Sequence, residues 1–160
     1  MTARIRLDED PAMSDVIVQA GDWATLGADA ASVRHAVFVR EQHVTALLEW
    51  DDADLDALHV VAYRQEGAQR RAVASARLLP GGTIGRLAVL TDSRRGGVGS
   101  RMLQTLLTYA QQRGERSVRL YARCDVVPFY LRHGFTTVGE IFVEAGIEHI
   151  EMRRVLVNTP

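Results

Sequence analysis

Residues 85–103 read Gly-Arg-Leu-Ala-Val-Leu-Thr-Asp-Ser-Arg-Arg-Gly-Gly-Val-Gly-Ser-Arg-Met-Leu. An apolar run enters a loop holding Arg94, Arg95, Gly96, Gly97 and Gly99, and Ser100 then opens a helical pattern. Glycines allow positive φ and let bare N–H groups approach a ligand closely. The unpaired N–H groups of a first helical turn add partial positive charge, and two arginines supply matching full charge. Such an assembly holds a phosphate or pyrophosphate. On glycine content alone, an ordinary strand-to-helix turn with solvent-facing arginines stands level with that reading. Other phosphate and nucleophile motifs fit worse. A Walker loop needs Gly-Lys, and the chain has no lysine. A dinucleotide fingerprint would need a third glycine where Met102 stands, and no Gly-x-Ser-x-Gly elbow surrounds Ser100.

The remaining reactive residues narrow the field further. All 19 basic residues are arginine, which removes Schiff-base chemistry along with the Walker lysine. Cys124 is the single cysteine, so neither an internal disulfide nor a multi-cysteine metal site can form. It reads as a small buried apolar residue on a strand. His35, His43 and His133 show no metal spacing, and no metal is assigned. Asp52-x-Asp54-x-Asp56 resembles the opening of a calcium loop, but Ala57 replaces the required glycine and Tyr63 the closing glutamate. Glu49, Asp51, Asp52, Asp54 and Asp56 together read as a solvated loop or a binding lip.

These residues need a frame to position them. At 160 residues, with 47% hydrophobic and 24% charged residues, the chain suits one domain over 1–160, its first 15 residues a loose lead-in. A net charge of -1 recruits neither nucleic acid nor an anionic membrane. With no spanning apolar run and a charged N-terminus, a cytoplasmic location is expected. The patterns predict a strand from Val16, a helix over 24–42, and strands over 58–64, 72–79 and 83–90. A helix over 100–113 follows, with Leu103, Leu106, Leu107 and Ala110 as its buried stripe. Alternation over 118–124 predicts a strand, then a short helix over 126–133, then a hairpin over 136–143 and 147–156. That order is α/β, around one largely antiparallel sheet with flanking helices.

At this point a family resemblance becomes specific. Leu87-Ala88-Val89 followed by residues 94–103 is similar to motif A of the GNAT acetyltransferases, Gln/Arg-x-x-Gly-x-Gly/Ala, with Arg94, Gly97 and Gly99 in its three places. Pro128 to Phe135 resembles the family's later motif, in which a tyrosine precedes Gly-Phe. The stretches "VFVREQ", "LLEWDDADLDALH" and "AGIEHIEM" resemble the ElaA-like branch. The similarity runs from about Val33 to Arg153, in order.

The resemblance implies a GNAT (acyl-CoA N-acyltransferase) fold and an enzyme that uses acetyl-CoA as co-substrate. It implies N-acetyl transfer to a primary amine of a small molecule or peptide, by direct attack in a ternary complex. The pyrophosphate would lie on Arg95, Gly96, Gly97, Val98, Gly99 and Ser100. The acetyl-pantetheine arm would run along Leu87, Ala88 and Val89, with the Val89 N–H as oxyanion donor. Tyr130 is the implied proton donor to the departing thiolate. His59, His149 and Glu41 are three candidates for the base, each also readable as structural. Arg86 stands where some members carry an acid. Arginines concentrate between 94 and 132, around this proposed coenzyme half, and acids collect at 49–56. The rival reading is a non-catalytic acyl-CoA-binding or sensor module. A homodimer, common in this fold, leaves no mark in the sequence.

Overall fold

The computed structural model describes residues 16–43 and 51–156, and the expected element order appears within them. Strand β1 is Val16–Gly21 and helix α1 is Trp23–Arg34. Strands β2, Leu58–Glu66, β3, Gln69–Leu78, and β4, Ile84–Val89, follow. Helix α2, Val98–Gln112, leads to β5, Ser117–Arg123, and the short helix α3, Val127–Arg132. The hairpin β6, Thr136–Glu144, and β7, Ile147–Val155, completes the fold. Among the described residues no helix is long and apolar enough to cross a membrane.

Local chemistry sets the helix ends. Asp22 caps α1 by accepting from the Thr25 N–H at 2.9 Å. Where a single helix was expected to run to residue 42, α1 gives way to a wider π-helical stretch over His35–Glu41, closed by the Gln42 N–H on the Val37 carbonyl at 3.0 Å.

The strands form two antiparallel sheets rather than one. The first has the order β1-β2-β3-β4 and the second β5-β7-β6. Helix α2 joins them through its apolar stripe. Met102, Leu103, Leu106 and Ala110 belong to one core with Val60, Ala62, Ala76 and Leu78 of the first sheet and Val118, Leu120, Ala122 and Met152 of the second. Helix α1 covers the other face of the first sheet, with Leu26 and Ala30 on Val61 and Tyr63. Val33 and Val37 lie on Ala88 of β4.

Two expectations need correction. Cys124 is not a buried strand residue: β5 ends at Arg123, and Cys124 opens a 3-10 turn, half-exposed. The acidic stretch is not simply solvated either. Asp52–Leu55 forms a 3-10 turn that places Asp54 fully inside the protein, at 0% exposure. Glu49 lies outside the described residues.

Candidate active site

The two sheets meet at one point and part from there. β4 and β5 run parallel, joined by the Thr83–Arg119 bridge and by the Arg119 N–H on the Gly82 carbonyl at 3.0 Å. Gly82 is required at this junction. Its φ is +96°, and a Cβ there would lie 2.7 Å from the Ser117 carbonyl oxygen. Among the described residues no further bridge links the strands, so they separate towards Val89 and Arg123. The Leu90 N–H bonds to Val73 of β3 at 2.8 Å. Successive backbone groups alternate between a strand's two edges, so the Val89 N–H points the other way, into the gap. Upstream, Arg86 sits in a bulge at φ +51°, where the β3–β4 register shifts between Ser75 and Arg77.

The loop after β4 ends at an uncapped helix. Gly97 occupies the N-cap of α2 at φ +83°, with no side chain bonded to the first turn. The N–H groups of Val98, Gly99 and Ser100 therefore lack helical partners, and no acid stands in that turn. A Cβ at Gly99 would lie 3.6 Å from Phe129 and 3.8 Å from Val89. The helix start, the end of β4 and α3 thus converge at the open end of the gap.

The two loop arginines differ in their use. Arg95, at φ +71°, is exposed. Arg94 turns back: its Nε donates to the Val89 carbonyl at 2.9 Å, and its Nη atoms donate to both Glu41 oxygens at 2.9 and 2.7 Å. The Arg94 hydrogen bonds hold the Glu41 carboxyl below its ordinary range. Glu41 therefore ties the π-helical stretch to the loop, and Arg94 ties the loop to the strand.

Tyr130 is buried on α3, in edge contact with Phe129 at 5.1 Å and Phe135 at 5.8 Å. Burial pushes its phenol up to about 12. It is therefore a neutral O–H donor throughout the physiological range, beside the residues that border the gap.

The histidines differ in the same way. His59 is 1% exposed, its Nε2 is 2.9 Å from the Asp54 carbonyl, and its ring packs on Trp23 at 5.0 Å. His149 is opposite Arg123, at the β5 end that borders the gap. Its Nδ1 donates to the Ile147 carbonyl at 2.7 Å, and its ring stacks on Phe142 at 5.7 Å. That bond leaves Nε2 with a lone pair. Side chains alternate along β7, and Met152 packs in the α2 core, so His149 stands on the opposite face.

An ion-pair network was not foreseen. Asp54 accepts from Arg34 Nη1 and Nη2 at 2.8 and 3.0 Å and from Arg77 Nη1 at 2.9 Å. Asp51 accepts from Arg77 at 2.7 and 3.1 Å and from Arg86 at 3.3 Å. These aspartates are matched inside the molecule, so they do not form an open cation site. The signal was Arg77, a charge inside the apolar alternation of its strand. A second missed pair is Ser100 Oγ with His133 Nε2, at 2.9 Å.

Comparison with known proteins places this geometry. Residues 24–156 match the model of the acetyltransferase (GNAT) domain. The chain is 35% identical over 128 residues to the uncharacterised N-acetyltransferase YjcF of Bacillus subtilis, covering 79% of this chain and 90% of that protein. It is 32% identical over 134 residues to protein ElaA of Escherichia coli, covering 79% and 85%. The crystal structure of an acyl-CoA N-acyltransferase from Pseudomonas aeruginosa superposes with a TM-score of 0.77 at 29% identity, covering 88% of this chain and 99% of that one. The parted strands, the uncapped glycine loop and these likenesses agree: the chain belongs to the GNAT family of acyl-CoA-dependent acetyltransferases, in its ElaA-like branch.

Proposed function

We propose that the protein transfers an acetyl group from acetyl-CoA to a primary amine of a small molecule or peptide, by direct attack in a ternary complex. The observation that carries this reading is the gap between β4 and β5, with the Val89 N–H facing it beside an uncapped helix. A pantetheine arm has amides that can pair with a free strand edge, along Leu87, Ala88 and Val89. The backbone of Arg95, Gly96, Gly97, Val98, Gly99 and Ser100 fits a pyrophosphate, with the Arg95 guanidinium beside it. Arg94 acts by holding that loop in place.

Acetyl-CoA supplies the acyl group as an activated thioester. The Val89 N–H donates to the carbonyl oxygen as negative charge develops on it. Tyr130 donates its phenolic proton to the departing thiolate sulfur. His149 Nε2 receives a proton from the incoming amine, directly or through one water. His59 is sealed inside the protein at 1% exposure and Glu41 is bound to Arg94, whereas His149 is only partly buried, which favours His149 among the three base candidates. A single domain carries all of these groups.

Thiol release from acetyl-CoA over a panel of primary amines, with product masses recorded, tests the reading. The expected result is amine-dependent CoA release with a mass gain of one acetyl group on the accepted amine. Tight coenzyme binding without release over the whole panel would instead establish a sensor module.

A further inference from the structure

Outside the groups assigned above, one titratable side chain among the described residues is built into the start of α2. His133 follows α3, its N–H on the Tyr130 carbonyl at 3.0 Å. Its ring packs on Phe129 at 5.0 Å, and Phe129 is the residue that borders Gly99. Its Nε2 meets the Oγ of Ser100, the third residue of α2, at 2.9 Å. The imidazole is therefore fixed by an aromatic wall and one hydroxyl to the helical turn with unpaired N–H groups.

Both charged groups that bear on this ring are cations. Arg132 is its neighbour in the chain, and Arg154 of β7 donates Nη1 to the His133 carbonyl at 2.9 Å. Burial first, then these two arginines, lowers the imidazole below its ordinary value and favours the neutral ring. A neutral Nε2 can accept the Ser100 O–H proton, which turns the hydroxyl's lone pairs outward. A protonated ring permits one direction only: Nε2–H donates to Ser100 Oγ, and the Ser100 O–H is free to donate outward.

We propose that His133, acting through Ser100, couples coenzyme binding to proton uptake: phosphate arriving at the start of α2 draws one proton from solvent onto His133. The inference rests on the phosphate position given under the proposed function. The phosphate charge offsets the repulsion from Arg132 and Arg154, and the relay His133 Nε2–H to Ser100 O–H to phosphate oxygen adds a charge-assisted donor. The linkage has a definite sign. A group whose pKa rises on binding strengthens binding at low pH, and that gain is lost as pH rises through the bound-state value.

The test is calorimetric titration of the full chain with CoA at pH 6, 7 and 8, in two buffers of different ionisation enthalpy. His133→Gln serves as the comparison, because glutamine retains a donor but no titration. The coenzyme's own phosphates titrate equally in both proteins, so the difference isolates His133. The expected result is greater proton uptake in the wild type and a ratio of variant to wild-type Kd that grows about fivefold to tenfold from pH 8 to pH 6. Imidazole 15N shifts of the wild type, moving to the doubly protonated pattern on CoA addition, give the same answer without a variant. Equal proton uptake and parallel pH dependence would overturn the coupling while leaving the phosphate site standing. Absence of CoA binding to the wild type would overturn both.

Discussion

Replacing Asp54 with alanine is expected to lower the unfolding free energy by about 3–5 kcal/mol. Its carboxylate is fully buried and accepts two bonds from Arg34, itself 1% exposed, and one from Arg77. Truncation would leave these guanidinium groups without their buried partner, the costly way to break such a network. Urea unfolding followed by circular dichroism measures this, with a lower midpoint and an unchanged slope. A loss under 1 kcal/mol, on the order of an exposed pair, would contradict the buried network. The same network makes stability pH-dependent. Burial pushes the Asp54 carboxyl up, but the bonds from Arg34 and Arg77 outweigh it and leave it below the usual range. A depressed folded-state value gives stability that is full above the unfolded carboxylate range and is lost as pH falls through the folded value. The wild type should therefore lose stability in acid through this group, and Asp54→Ala should show a flatter acid limb.

Tyr130→Phe is expected to lower kcat by about a hundredfold or more, the usual contribution of a positioned general acid. Folding should survive, because the ring keeps its contacts with Phe129 and Phe135 and no described residue bonds its hydroxyl. The KM for acetyl-CoA should move little, since the phenol acts on the leaving sulfur rather than on the phosphates. Because burial pushes Tyr130 up to about 12, its ionisation should impose no fall in rate across pH 6–10. Steady-state thiol release by the two proteins decides the matter. Full turnover by the variant would remove Tyr130 from the proton-donor role.

The fold was legible wherever residue periodicity was clean. The stripe of Leu103, Leu106, Leu107 and Ala110 marked α2, and the alternation of Val118, Leu120 and Ala122 marked β5. The parting of β4 from β5 was not legible in periodicity, because a strand alternates identically whether one edge or both are paired. Side-chain destinations were hidden for a related reason. Glu41 and Arg94 are 53 residues apart, and Arg34 and Asp54 are 20 apart. Composition alone makes Arg94 an anion ligand and the acids a cation lip. Only folding shows Arg94 bound to Glu41, and Asp51 and Asp54 bound to arginines of other elements. The glycine loop was legible because what it presents is backbone: Gly97 takes φ +83° and leaves the first turn of α2 without a side-chain cap.

In the proposed reaction the gap between β4 and β5 receives the acyl arm while the α2 start holds the phosphates. A crystal structure of the protein with acetyl-CoA measures this most directly. The expected result is density for the pantetheine amides along Leu87, Ala88 and Val89, the pyrophosphate on the N–H groups of residues 95–100, and the thioester sulfur within hydrogen-bond reach of Tyr130. Coenzyme density elsewhere on the protein, with the gap and the α2 start empty, would contradict it.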